Sequence, residues 1–445
     1  MYNLCYARNR LFALLSISCL LFSCTTPGPA GFFGKKSAHD DYGDKIIKAG
    51  LAETALARRW FLVAEQAFQS PLFVNLPYSE SGYFPAEEPK ASALLFQGKR
   101  GEKLAIKLEK KPVSGFAIYL DLWEAASPGL KPRFLLSSDT SSLLMQYDVE
   151  RDGEYILRMQ PELLKGGKYL LSINTGPSLA FPVSGEKKVS IGSFWGVDRD
   201  KGARHHEGID IFAPRGTPLL AAADGVVTRV EENKLGGKVI FLVPDNKNYS
   251  LYYAHLEKQI AQPGQRVKIG DTIGLVGNTG NAITTVPHLH FGIYTTGGAI
   301  DPLPFVKPAT GIPPKIVASK NLVNRWARST SKIQLKRPGR ENVNESALIT
   351  PNTIFKVEAV TGDSYKVVLP SGEEGLLPAR PVVDASTSIK KARLQKPQPL
   401  LDEPEIGAAK KKYIARGDTI SVYGIWKNFY FVKSDRTEGW LPVEE

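Results

Sequence analysis

Pro263-Gly-Gln-Arg-Val-Lys-Ile-Gly270-Asp-Thr-Ile-Gly274-Leu-Val-Gly277-Asn-Thr-Gly280 is the stretch that decides the fold of the central region. Its glycines recur every three to six residues, leaving room only for short strands between turns. Turns so closely spaced imply a compact barrel or sandwich of short antiparallel strands. Upstream, Pro214-Arg-Gly-Thr-Pro218 and Ala223-Asp-Gly-Val-Val227 continue the texture.

Histidine is scarce, six in 445 residues, yet five fall between 205 and 290. His206-Glu-Gly-Ile-Asp210 reads as a turn into a strand, because Gly208 is followed by Ile-Asp-Ile-Phe. A carboxylate at Asp210 between two isoleucines is costly unless paired or bound to a cation. In His288-Leu-His290, strand alternation sends both imidazoles to one groove and Leu289 to the core. Tyr253-Ala-His255 lies in a third apolar run, where alternation predicts that Tyr253 and His255 share a face opposite Ala254. Neutral imidazole and carboxylate are donor types that zinc accepts. Each group by itself is weak, since a lone His-x-x-x-Asp arises readily by chance.

Taken in order, the motifs His-x-Gly-Ile-Asp, Gly-Thr-Pro, Asp-Gly-Val-Val, Tyr-x-His-Leu, Gly-Asp-x-x-Gly, Gly-Asn-Thr-Gly and Pro-His-Leu-His-Phe resemble the lysostaphin/LytM-type zinc metallopeptidases, which cut peptide cross-links of peptidoglycan. The likeness spans roughly residues 195–305. It implies one Zn2+ held by His206, Asp210 and His290, with His255 and His288 as the catalytic histidines. His205 falls outside the pattern, and His39 lies far upstream in the expected tether. Two features depart from the family's pattern. Ala282–Pro287 is longer than usual before His288, and Gly292 stands where many members carry Glu; both bear on groove shape, and neither removes a ligand.

Outward from this region, residues 85–187 show period-two runs such as Lys103–Leu108, Gly115–Leu122 and Lys168–Ile173, separated by Gly, Asp and Pro. They predict a β-sandwich without chemistry of its own. Residues 43–69 carry apolar residues at helical spacing from Ile46 to Ala67 and predict one amphipathic packing helix, stopped by Pro71. At the other end, Lys356–Tyr365 aligns with Ile420–Phe429 and Glu374-Gly-Leu-Leu-Pro378 with Glu438-Gly-Trp-Leu-Pro442. Internal repetition implies two modules of one fold. They resemble bacterial SH3-like barrels, which implies binding to cell-wall peptides; Trp426, Phe429, Tyr430 and Trp440 are the aromatic candidates, each equally readable as barrel core.

The three cysteines, Cys5, Cys19 and Cys24, all lie in the first 24 residues, so the rest of the chain has no disulfide and no cysteine ligand. Arg8 and Arg10 precede the apolar Leu11–Leu21, which is too short to span a bilayer comfortably and suits an export signal. Leu21-Phe-Ser-Cys24 resembles a lipobox, implying membrane attachment through a lipidated Cys24.

The expected architecture is mainly β and multidomain. It comprises a lipoprotein signal peptide (1–24), a tether and amphipathic helix (25–84), a β-sandwich (85–187), an antiparallel β peptidase domain (190–308) and SH3-like repeats at 320–385 and 386–445. Net charge is +12, which suits an anionic envelope or plain solubility. No arginine-rich arm or basic-aromatic RNA signature is present, so nucleic acid is not an expected partner. The expected function is a zinc endopeptidase acting on peptidoglycan, exported and lipid-anchored in the periplasm of a Gram-negative bacterium, with the D-alanyl to diaminopimelate bond as target. The alternatives are a non-catalytic wall-binding lipoprotein that activates another wall hydrolase, and a metallopeptidase of ordinary proteins.

Overall fold

A computed structural model describes residues 36–126, 130–138, 144–185, 189–199, 202, 204–307, 311–337, 348–434 and 437–443. The expected signal peptide, Cys24 and the start of the expected tether lie outside the described residues. Ser37–Glu445 forms one compact unit, mainly β as expected. No helix among the described residues is long and apolar enough to cross a membrane.

The first element corrects the expected single helix. Two helices stand there, α1 at Ala38–Lys48 and α2 at Ala55–Gln69. Ser37 and Asp40 form a capping box that starts α1 earlier than its apolar spacing indicates. Gly50, at φ +72°, ends it. The Thr54 side chain then accepts from the Ala57 N–H and restarts the helix. The helices bury Ile46, Ala57 and Trp60 against Tyr119 on the outer face of a sheet. His39 therefore sits in a packed helix and not in a tether.

Two sheets form the sandwich. One has the order Leu72–Phe73, Ser92–Gly98, Gly153–Pro161, Ile118–Glu124, Arg133–Ser137. The other runs Tyr78–Phe84, Gly167–Pro177, Glu102–Lys111, Leu144–Asp148. Strands thus begin at Leu72, before residue 85, where Pro-rich spacing hides them. Leu104, Ile106 and Leu108 point inward while Lys103 and Lys107 stay out, and they meet Leu94, Phe96, Leu120, Leu157 and Leu171. Each such side chain contributes about 1.5–3 kcal/mol by leaving water.

The second sheet does not stop there. Tyr78–Phe84 also pairs with Ile354–Thr361, so the first C-terminal repeat continues the sandwich sheet. Lys366, 1% exposed, seals this junction: its Nζ donates to Ser92 Oγ at 2.6 Å and lies 3.6 Å from Glu374. The first repeat has its own core of Phe355, Val357, Tyr365, Val367 and Leu377. The second is a six-stranded sheet around Leu400, Val422, Val432 and Leu441. Of its aromatic candidates, Phe429 and Trp440 are buried.

The central sheet positions the site. Its strand order is Ser190–Ser193, Ile209–Phe212, His288–Thr295, Tyr249–Gln259, Gly237–Pro244, Gly225–Asn233, Arg266–Val267, with Thr272–Val276 against Tyr249–Gln259. Leu289, Phe291 and Ile293 enter the core with Ile209, Ile211, Leu251 and Tyr253. The alternate residues of the His288–Thr295 strand face a cleft.

Candidate active site

Cross-strand pairing brings the expected residues together. Asp210 stands directly opposite His290, and Phe212 opposite His288. His206 arrives from the preceding loop, whose backbone runs close over His290: a Cβ on Gly208 would come within 2.8 Å of that ring. This is the physical reason for glycine in His206-Glu-Gly-Ile-Asp210. His206 Nε2, Asp210 Oδ1 and His290 Nδ1 converge, with separations of 3.0, 2.9 and 3.1 Å.

The donor chemistry of this trio calls for a cation. A carbonyl oxygen only accepts, so His206 must direct its Nδ1–H at the Phe194 carbonyl, 2.9 Å away. In the neutral imidazole, Nε2 then carries a lone pair and faces the Asp210 carboxylate. Two lone pairs at this distance repel unless a positive charge lies between them. Tetrahedral bonds of about 2.0–2.1 Å would hold three donors roughly 3.3 Å apart, near the spacing observed. Burial pushes the Asp210 carboxyl up, but the contacts with His206 and His290 outweigh it and hold it well below the ordinary carboxylate range. His290 is pushed down, chiefly by burial, which keeps its ring neutral.

His255 and His288 stand beside the trio. Their rings lie 5.0 Å apart, and His288 Nε2 is 3.9 Å from Asp210 Oδ1. Each donates Nδ1–H to a backbone carbonyl, His255 to Thr279 at 2.9 Å and His288 to Val286 at 2.8 Å. Both Nε2 atoms are thereby left as proton acceptors. Burial first, then His288 and His290, push His255 down to about 4, so it is uncharged at neutral pH. Thr279 owes its position to a close backbone crossing. A Cβ on Gly280, itself at φ +71°, would come within 2.3 Å of the Gly237 nitrogen.

One expectation about this strand fails. Tyr253 and His255 do not share a face. His255 adopts φ +65° at a register shift, which breaks the alternation. Tyr253 is fully buried and its hydroxyl accepts from the Ala222 N–H at 3.0 Å, while Ala254 and His255 both line the cleft. His205 is exposed on the rim and lies 3.0 Å from Asp198, outside the trio.

The sequence reading missed Arg199. It donates to Asp210 Oδ2 at 2.8 Å and to Ser193 Oγ at 2.8 Å, so Asp210 offers only Oδ1 to the trio. No local motif marks it, because the contact joins two separate strands, Asp198–Arg199 and Ile209–Phe212. The whole constellation lies in a cleft of about 1170 Å³. The described residues contain one group of three or more His, Cys, Asp or Glu suited to a metal ion: His206, Asp210 and His290.

Residues 204–302 match the model of Peptidase family M23. Over 107 residues the chain is 39% identical to an uncharacterized metalloprotease of Haemophilus influenzae, covering 24% of this chain and 22% of that protein. It is 35% identical over 127 residues to the peptidoglycan DD-endopeptidase ShyC of Vibrio cholerae, covering 28% and 25%. It is 39% identical over 110 residues to the glycyl-glycine endopeptidase ALE-1 of Staphylococcus capitis, covering 24% and 30%. The chain thus spans less than a third of the length of these relatives.

Proposed function

From the M23 peptidase domain at residues 204–302, we propose that this protein is a zinc-dependent endopeptidase that hydrolyses peptide cross-links of bacterial peptidoglycan. The observation that carries the reading is the convergence of His206 Nε2, Asp210 Oδ1 and His290 Nδ1, each within 3.1 Å of the others, in an open cleft. His206, Asp210 and His290 would hold the zinc ion. When bound, zinc acts as a Lewis acid on the scissile carbonyl and lowers the pKa of a water towards neutrality.

The remaining chemistry belongs to His255 and His288. Their tautomers present Nε2 to the cleft, so the pair accepts the proton of the attacking water and returns one to the leaving amine. The protonated member also faces the oxyanion. Phe194, Thr279 and Val286 act through their carbonyls, fixing ring orientation before substrate arrives. In this reading the domain works outside the cytoplasm, anchored through Cys24, and the two C-terminal repeats are SH3-like. The target is the D-alanyl to diaminopimelate cross-link.

Digestion of purified sacculi tests this. Cross-linked muropeptide dimers should fall to monomers on mass analysis, the reaction should stop with chelator, and zinc should restore it. Release of no monomer, or release indifferent to chelator, sinks the reading.

A further inference from the structure

We propose that the cleft contains a carboxylate-recognition subsite, with Arg229 as the residue that grips an acidic group of the peptide being bound. The inference rests on the peptidase reading and names a feature of its substrate.

A row of residues crosses the sheet in register. Arg229 stands opposite Phe241, Phe241 opposite Tyr252, and Tyr252 opposite Gly292. Arg229, Phe241 and Tyr252 line the cleft. Neighbouring strands are about 4.8 Å apart, so the row runs roughly 14 Å from Arg229 to the strand that carries His288 and His290.

Arg229 is already oriented. Its guanidinium lies 3.7 Å from the centroid of the Phe241 ring, and that ring lies 4.8 Å from Tyr252. A guanidinium resting by its face on an aromatic ring keeps its in-plane N–H donors available for a planar carboxylate. Less side-chain entropy is then lost on binding. Among the described residues no carboxylate pairs with Arg229.

The charge of the cleft points the same way. Its charged lining consists of Arg199, Arg204, Arg229 and Lys234 against Glu207 and Asp210. Asp210 is engaged by Arg199 and the histidines, and Glu207 accepts from the Tyr294 hydroxyl at 3.2 Å. Glu231 and Glu232, further along the Arg229 strand, do not line the cleft, though the Glu231 charge reaches Tyr252, where it opposes that of Arg229. The resulting positive field favours an anionic ligand. Gly292 leaves the floor clear between the row and the histidines: a Cβ there would come within 2.9 Å of the Tyr294 ring and 3.6 Å of Tyr252. An extended peptide advances about 3.3 Å per residue. The guanidinium lies over Phe241, two strand spacings or about 10 Å from the histidine strand, so the recognised carboxylate lies about three residues from the bond that is cut.

The test is equilibrium binding of the full zinc-loaded chain to an uncross-linked stem tetrapeptide, which offers no cross-link to cut, with its carboxylates free or converted to amides. The wild type should bind the free form at least ~10-fold more tightly, the scale of a charge-assisted bidentate bond. Arg229→Ala should erase the difference, and Arg229→Lys should restore only part of it. Gly292→Glu, which places a negative charge in the floor, should weaken binding of the free form and spare the amide. Equal binding of both forms by the wild type overturns the proposal. So does an Arg229→Ala variant that keeps the preference while melting like the wild type; should that variant misfold, a Gly292→Glu chain that binds both forms as the wild type does overturns it instead. Failure of the wild type to open sacculi would remove the peptidase reading and leave this binding difference measurable.

Discussion

The chain contains two buried clusters that each combine histidine with aspartate. One is His206, Asp210 and His290 in the cleft. The other lies beneath the helical hairpin, where His39 meets Gln160 and, nearby, Asp121 meets Arg158. His39 and His206 are equally buried, at 5% exposed each. Their surroundings differ in donor and acceptor arithmetic. His39 Nε2 donates to Gln160 Oε1 at 2.6 Å, Gln160 Nε2 donates to the Trp60 carbonyl at 2.8 Å, and the Trp60 ring stacks on His39 at 4.5 Å. Asp121 is matched by the Arg158 guanidinium, which packs over Phe68 and Trp123. These contacts hold a hairpin to a sheet; among the described residues His39 Nδ1, Asp121 Oδ1, Trp123 Nε1 and Arg158 Nε are left without hydrogen-bond partners, and the cluster brings no three ligand-type atoms to one point. In the cleft His206 Nε2 and Asp210 Oδ1 face each other as acceptors, with His290 Nδ1 beside them, and all three are open to ligand. Burial of a histidine therefore says little; the convergence of several ligand-type atoms on an open cleft separates chemistry from packing.

That contrast can be broken experimentally. His206→Ala should reduce sacculus cleavage to background and abolish zinc retention, measured by metal analysis after gel filtration, with little change in the metal-free melting curve. His288→Ala should keep zinc and lose about 10²–10⁴ in cleavage rate, the usual contribution of a proton-transfer group; native-rate cleavage would remove His288 from the mechanism. In the other cluster the effects should be reversed in kind. Trp60→Ala should cost about 3–5 kcal/mol of stability in denaturant unfolding, while activity per folded molecule stays unchanged. If it instead lowers kcat in proportion, the hairpin communicates with the cleft. The smallest effect sharpens the boundary between core and site. Tyr253→Phe leaves the buried Ala222 N–H without its acceptor and should cost about 1–3 kcal/mol, with zinc affinity untouched, because the ring faces the core and not the cleft.

Legibility followed the range of the interaction that fixes each residue. His288 and His290 were readable, because strand alternation alone puts them on one side of Leu289. The Tyr253–His255 pair was misread, because one left-handed residue at a bulge breaks that rule locally. His39 was misassigned because its helix is set by a Ser37–Asp40 cap and by Trp60, which a search for apolar periodicity passes over. Arg199 was invisible, since it reaches Asp210 from a separate strand that carries no motif. The repeats were visible as repeats, but the continuation of the first into the sandwich sheet was not. Backbone pairing between Tyr78–Phe84 and Ile354–Thr361 leaves no mark in side-chain pattern.

By itself the sequence determined the mainly β character, the repeat, the peptidase region and the histidines and aspartate to examine. The first two follow from local turn chemistry, period and internal alignment, and the last two from the resemblance carried by the ordered motifs. Only the tertiary structure decided that Asp210 lies opposite His290, that backbone carbonyls fix three histidine tautomers, and that Arg229 rests on Phe241 in a row crossing the cleft. Register and lone-pair direction depend on chain segments as far apart as Asp210 and His290, and no local rule carries that information.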